Sequence, residues 1–145
     1  MEELYQEIIL DSAQSASNRG DLASEPGAHH EFVTNPLCGD TVDLWLSFEN
    51  GAIKSAKFEG EGCTISQAAA SLLADEVRGK SVEELKQFIA DYQAFLNGTL
   101  DPEKRAALGP LLAFEGVRRF PMRMRCAMLA FEALRRLLVD REANS

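Results

Sequence analysis

The chain has 145 residues, of which 46% are apolar and 8% aromatic, a composition that suits one compact domain with its own core. Its 15 basic and 23 acidic side chains give a formal charge of −8, which disfavours a nucleic-acid backbone or an anionic membrane as the main partner. The N-terminus lacks the pattern of a signal peptide, and no apolar run approaches a membrane span. Three cysteines without a secretion signal predict reduced thiols in a cytoplasmic protein.

Residues 1–34 predict a short peripheral helix followed by an irregular segment. Apolar residues recur at helical spacing over about 2–18, whereas residues 19–37 carry Gly, Pro, Ser and Asn without an apolar period. We therefore expect no regular structure in 19–37. Imidazole is a common metal ligand, but nothing in the sequence tethers His29 and His30, so neither is expected to bind a metal.

The next segment predicts a β-hairpin. Polar and apolar residues alternate over 41–48, the signature of a half-buried strand. Asn50 and Gly51 tolerate the positive φ angles of a tight turn, and residues 52–58 return as a second strand. One face of the first strand should be apolar and buried: Val42, Leu44, Leu46 and Phe48.

Four helices are predicted after the hairpin. The first follows two glycines and begins at Cys63, and the second begins with a capping box of Ser81 and Glu84 and runs to about residue 97. Asp101-Pro102 suits the start of a short third helix, which Gly109-Pro110 should break.

Pro121 begins the long fourth helix, which should place Cys126 near the inner edge of its first turns. A basic cluster lies around it, from Arg118 to Arg125. Such clusters most often form a solvated face. Beside Cys126, however, Arg123 and Arg125 could hold thiolate charge or meet an acidic partner.

The three cysteines admit two interpretations. Free cysteine is among the most buried residue types, so each could be a small core residue. Yet Cys38, Cys63 and Cys126 all fall near the ends of predicted elements, where helix dipoles and cations lower the pKa of a thiol and favour the thiolate that a metal requires. Zinc takes four tetrahedral ligands from thiolates, imidazoles and carboxylates, and Asp40 would complete such a set. The residues alone leave both interpretations open, because their spacing is unlike that of a zinc finger.

Three stretches resemble a known family: "NPLCGDTVDLWL", "AKFEGEGCTISQAAASLLADEVRGKSVEEL" and "FPMRMRCAMLAFEAL". They are similar to the U-type iron–sulfur cluster assembly proteins, the IscU/SufU or NifU N-terminal-like family, over about residues 35–138. An insertion near 95–120 and the presence of Arg125, where IscU-like scaffolds have a histidine, resemble the SufU-like branch. The implied fold is α+β, with about three antiparallel strands packed against several helices. A single domain over 1–145 is expected, with its core in 35–140.

The resemblance implies a site and an activity. Zinc would be held by Cys38, Asp40, Cys63 and Cys126. The protein would be a zinc-dependent sulfurtransferase without independent turnover, working with a pyridoxal-phosphate cysteine desulfurase and passing sulfur toward downstream cluster scaffold proteins. A partner histidine would displace Cys38 from zinc, freeing its thiolate to accept persulfide sulfur, and Arg123 would orient a thiolate.

Two alternatives remain open at this stage. The same ligands could hold a [2Fe–2S] cluster on an assembly scaffold, because thiolates bind iron–sulfur clusters as well as zinc. The metal could instead only support folding. The N-terminal stretch departs from the family pattern at Ser12, Ala13, Ser15 and Ala16, which puts a partner contact there in doubt.

Overall fold

A computed structural model describes residues 2–143, and the side chains of 3–140 within them. Within this range the fold is α+β, as the resemblance implied: three antiparallel strands, four α-helices and one 3-10 segment. None of the helices described is long and apolar enough to cross a membrane. The elements in chain order are α1 (Glu2–Gln14), β1 (His29–Asn35), β2 (Asp40–Glu49), β3 (Ala52–Glu61), α2 (Thr64–Val77), α3 (Val82–Asn97), the 3-10 segment (Pro102–Arg119) and α4 (Pro121–Ala143).

The predicted hairpin is β2 and β3, joined by Asn50 and Gly51, whose φ angles are 55° and 80°. Residues of β2 alternate between core and surface as far as Leu46. There the register shifts, so that Ser47 is buried and Phe48 is only half-buried, which differs from the predicted face. The hydroxyl of Ser47 is satisfied by donating to Glu25 at 2.8 Å.

The expectation of irregular structure over 19–37 is wrong for residues 29–35, which form β1. This strand pairs antiparallel with the free edge of β2, with Val33 opposite Val42 and Asn35 opposite Asp40. Its sequence has little apolar alternation because few of its side chains are buried. Pairing with an existing hairpin, which local pattern does not reveal, therefore stabilises the strand.

The helix boundaries follow their local signals. Ser81 caps α3 and forms the capping box with Glu84. Gly109 has non-helical angles, φ 55° and ψ −131°, and kinks the 3-10 segment where a break was predicted. At the N-terminus α1 ends at Gln14, before the predicted residue 18.

The core lies between the sheet and helices α2, α3 and α4. Its centre is aromatic: Tyr92 stacks on Phe131 with ring centroids 4.0 Å apart. The buried hydroxyl of Tyr92 donates to the backbone oxygen of Ala127 at 3.0 Å. This bond ties α3 to α4 at the residue that follows Cys126, and α4 in turn packs on β1 and β2. The core thus fixes where the buried cysteine meets the sheet.

Candidate metal centre

Three separate segments of the chain bring their thiols to one end of the sheet. Cys38 lies in the turn between β1 and β2, Cys63 is the N-cap of α2, and Cys126 lies in the second turn of α4. Asp40, the first residue of β2, lies between them. The fold therefore assembles residues up to 88 positions apart in sequence, as in the Cys38–Cys126 contact.

The turn that carries Cys38 is organised by Asn35. The backbone oxygen of Asn35 accepts hydrogen bonds from the N–H groups of Cys38 at 3.1 Å and Gly39 at 2.8 Å. Its side-chain oxygen accepts from the N–H of Leu37 at 3.2 Å. Gly39 supplies the left-handed conformation of the turn, with φ 74°. This geometry leaves Cys38 exposed at the tip.

Asp40 is the centre of the cluster. Only 1% of its surface is exposed, and its Oδ1 accepts a hydrogen bond from the N–H of Cys63 at 2.9 Å. The other oxygen, Oδ2, accepts from the thiols of Cys126 at 3.0 Å and Cys63 at 3.4 Å. One carboxylate oxygen is thus shared by two thiols.

The donor atoms fall within the reach of a single ion. Those of Cys38, Asp40 and Cys126 all lie within 4.8 Å of one another, and the Sγ atoms of Cys38 and Cys126 are 4.0 Å apart. Cys63 is not in this group of three, and its thiol reaches the cluster through its 3.4 Å contact with Oδ2 of Asp40.

The surroundings of Asp40 also fit a metal. No lysine, arginine or histidine among the described residues forms an ion pair with it. A buried carboxylate without a cation is costly, and a divalent cation would offset that cost. Thiolates with one carboxylate are ligands that zinc accepts, and thiolates also hold iron–sulfur clusters.

The thiol of Cys126 differs from the expectation for a cysteine near a helix end. Burial raises its pKa, and hydrogen bonding to Asp40 and Cys63 raises it further. The prediction of a lowered pKa is therefore wrong for this residue, because only 4% of it is exposed and a carboxylate faces it. Without a bound cation, Cys126 is a protonated thiol that donates a hydrogen bond to Oδ2 of Asp40.

The remaining candidates lie elsewhere. The guanidinium of Arg123 is 4.6 Å from the centroid of the Phe120 ring, and its role in orienting a thiolate stays a prediction. His30 stacks on Trp45, with centroids 4.1 Å apart, and its Nδ1 lies 2.9 Å from Oδ1 of Asp43. The expectation that nothing tethers His30 is thus wrong, because its ring contacts two side chains of β2.

Sequence reasoning gave no role to two residues that build the site, Asn35 and Gly62. The amide of Asn35 lies 4.0 Å from the Sγ of Cys126, in addition to its contacts with the Cys38 turn. Gly62 has a φ of 148° and lies against the side chain of Asp40. The visible signal for both was their proximity in sequence to Cys38 and Cys63.

Solved structures share this fold. The structure of a protein named as an iron–sulfur cluster assembly scaffold for the SUF system, from Fervidobacterium islandicum AW-1, superposes with a TM-score of 0.82 and 30% identity. The match covers 92% of this chain and 95% of that chain. The fold is therefore that of the iron–sulfur cluster assembly proteins.

The sequence matches agree. The family model described as "NifU-like N terminal domain" matches residues 4–140, and the chain belongs to this family. The zinc-dependent sulfurtransferase SufU of Bacillus subtilis is 30% identical over 145 residues, covering all of this chain and 96% of the relative. The iron–sulfur cluster assembly scaffold protein IscU of Thermotoga maritima is 36% identical over 135 residues, covering 93% and 92%. Both names occur among the relatives, and they differ in the activity they state.

Proposed function

We propose that this protein is a zinc-dependent sulfurtransferase of iron–sulfur cluster assembly, which accepts persulfide sulfur from a cysteine desulfurase onto Cys38. The observation that carries the proposal is the position of Cys38. Its thiol is exposed on a turn, next to a buried pair of donors, Asp40 and Cys126. The name of the Bacillus subtilis relative calls that protein a zinc-dependent sulfurtransferase.

Cys38 is better placed than Cys63 to be the acceptor. Cys63 is also exposed, but its sulfur accepts a hydrogen bond from the N–H of Ser66 at 3.4 Å and contacts Asp40, so it is engaged as the cap of α2. The side-chain contact of Cys38 is the 4.0 Å approach to Cys126. A thiol held mainly by its turn can leave the cluster with little rearrangement.

Without a sulfur donor, the zinc ligands would be Cys38, Asp40, Cys63 and Cys126. When Cys38 leaves to accept sulfur, the other three would still hold the ion. Zinc bound by them would keep the thiols deprotonated near neutral pH. Asp40 also accepts a hydrogen bond from the N–H of Cys63, and this bond would hold the carboxylate in place while Cys38 moves.

The transfer itself is a thiol exchange. The Cys38 thiolate attacks the outer sulfur of the persulfide on the donor cysteine, and a new sulfur–sulfur bond forms at Cys38. The sulfur–sulfur bond of the donor breaks, and the donor cysteine leaves as a thiolate. Cys38 then carries the persulfide, so no external oxidant or reductant is consumed.

The test combines metal analysis with sulfur transfer. Zinc and iron per chain are measured after purification without added metal, and sulfide release from cysteine by the cognate desulfurase is followed with wild type and Cys38→Ala. We expect about one zinc per chain, stimulation by the wild type and none by the variant. Mass spectrometry after desulfurase treatment should find one added sulfur atom on the peptide that contains Cys38. Absence of zinc, or full stimulation by Cys38→Ala, would sink the proposal.

A second candidate function is supported by the relatives named as scaffolds, including that of Thermotoga maritima. Three clustered thiols can ligate a [2Fe–2S] cluster, which would then be cargo assembled on the protein. A visible chromophore that forms with iron and sulfide and passes to an apoprotein acceptor would favour the scaffold. A zinc protein that melts on chelation but never affects the desulfurase would instead indicate a purely structural metal.

A further inference from the structure

A cleft beside the thiol cluster is lined by the N-terminal helix and by the insertion. Its volume is about 300 Å³, with α1 on one wall and the end of the 3-10 segment on the other. Ile65 from α2 and Arg123 from α4 complete it. Ile65 follows Cys63 by two residues and Arg123 precedes Cys126 by three, so the cleft adjoins the elements that carry both thiols.

The cleft carries positive charge that no carboxylate of residues 3–140 pairs with. The chain as a whole has a net charge of −8, yet Arg119 and Arg123 both line the cleft and are exposed. Neither has a carboxylate partner among the described residues, whereas the neighbouring Arg118 pairs with Glu115 at 3.6 Å. An acidic protein that keeps two arginines without a described carboxylate partner at one cleft is complementary to an anionic occupant.

The rim of the cleft has the composition of a protein interface. Phe120, which lines the cleft, is 47% exposed even though Arg123 lies over its ring. Met122, two residues farther along the chain, is also exposed. Aromatic residues, methionine and arginine are the residue types enriched where proteins bind one another. Apolar contact around paired cations favours a peptide segment that has both apolar and acidic side chains over a small anion.

We propose that this cleft receives an acidic segment of the sulfur-donating protein and so aligns its persulfide with Cys38. The inference rests on the proposed function for the identity of the partner. The carboxylates of the segment pair with Arg119 and Arg123, while an apolar side chain enters the space lined by Tyr5, Ile9, Ile65 and Val117. The charge pairs also steer the two proteins together.

Two variants test charge and space separately. Arg119→Glu reverses one cation of the cleft. Gly116→Phe fills the cleft without changing charge, and it is structurally permitted because a Cβ at Gly116 would meet nothing within 4 Å. The matched control is Arg136→Glu, the same charge reversal at an exposed site about 20 Å farther along α4.

Binding of the purified cognate desulfurase to each variant is measured by calorimetry at low and high salt, with circular dichroism and zinc content as checks on folding. We expect Arg119→Glu and Gly116→Phe each to weaken binding by about tenfold, and Arg136→Glu to bind like the wild type. Arg119→Glu should also bind with a smaller salt dependence. In turnover assays both cleft variants should raise the KM for this protein, whereas Arg136→Glu should leave it at the wild-type value.

Normal binding by either cleft variant overturns the inference, even when the wild type accepts sulfur. The same holds when Arg136→Glu weakens binding equally, because net charge rather than the cleft would then be responsible. Conversely, a wild type that binds the desulfurase through the cleft but never acquires sulfur on Cys38 overturns the proposed function and leaves the docking site standing.

Discussion

Gly62 and Asp40 lie so close together that only a glycine can occupy position 62. A Cβ added to Gly62 would lie 2.7 Å from Cγ of Asp40 and 2.9 Å from its Cβ, far inside van der Waals contact. The backbone of Gly62 also has a φ of 148°, which side chains disfavour. The glycine before Cys63 therefore makes room for the buried carboxylate that the thiols share.

Gly62→Ala should displace Asp40 and weaken metal binding. We expect the affinity for zinc to fall by about tenfold or more, because the carboxylate can no longer lie between the thiols. Competition with a chromophoric chelator measures the change. Gly116→Ala is the matched control, since its added methyl group meets nothing within 4 Å. Equal affinities in the two variants would contradict the role assigned to Gly62.

Asn35→Ala should loosen the Cys38 turn and its approach to Cys126. Asn35 is only 5% exposed, and the substitution removes both the bond to the N–H of Leu37 and the amide near the Cys126 sulfur. We expect zinc to dissociate about tenfold faster. The exposed neighbour Thr34 provides the control, Thr34→Ala. If both variants release zinc at the rate of the wild type, Asn35 is only a strand residue.

The raised pKa of Cys126 predicts how stability depends on pH when zinc has been removed. The folded state keeps a proton that the unfolded chain releases near the usual value of 9.0, so the stabilisation is complete below that pH and is lost as the pH rises above it. The decline has a limiting slope of about 1.4 kcal/mol per pH unit for this one group. Urea unfolding of reduced, chelator-treated protein between about pH 8 and pH 10 measures it.

Cys126→Ser is the comparison for that experiment, because serine does not titrate in this range. Burial also raises the pKa of Tyr92, so the free energy of unfolding falls further at still higher pH. Tyr92 is present in both proteins and contributes equally to each. The difference in slope between wild type and Cys126→Ser therefore isolates the thiol. Parallel curves would mean that Cys126 ionises in the folded state as it does in the unfolded chain.

Asn18→Ala should destabilise the fold. Asn18 is only 2% exposed. Its side-chain amide donates hydrogen bonds to the backbone oxygen of Ser71 and to Oδ1 of Asp75, both at 2.9 Å. Its side-chain oxygen accepts a hydrogen bond from Arg78 at 2.7 Å. Because the variant leaves several of these groups unpaired, we expect the free energy of unfolding to fall by about 2–4 kcal/mol.

Chemical denaturation of the zinc-loaded protein checks the change, with Ser17→Ala as the exposed control. Zinc content should stay at the wild-type level, because Asn18 holds the chain to α2 and not to the thiols. If Asn18→Ala lost zinc but kept the stability of the wild type, the structural role assigned to Asn18 would be wrong.

Local signals predicted much of the fold because their causes are local. A capping box, a glycine kink and an Asn-Gly turn depend on residues a few positions apart, and Ser81, Gly109 and Asn50 act where the sequence indicated. Strand β1 was missed because it is stabilised by pairing with β2 and carries little apolar pattern of its own.

The candidate site divides in the same way. The sequence by itself supplied the candidate donors, Cys38, Asp40, Cys63 and Cys126, because residue type fixes which atoms can hold a metal and the surrounding motifs match a family. Tertiary structure decided their chemical state. Burial and a shared carboxylate oxygen raise the pKa of Cys126, and exposure on a turn leaves Cys38 accessible. Solvation and the distances between distant segments arise only when the chain folds, so the sequence could name candidate ligands but not which thiols are exposed and which is buried.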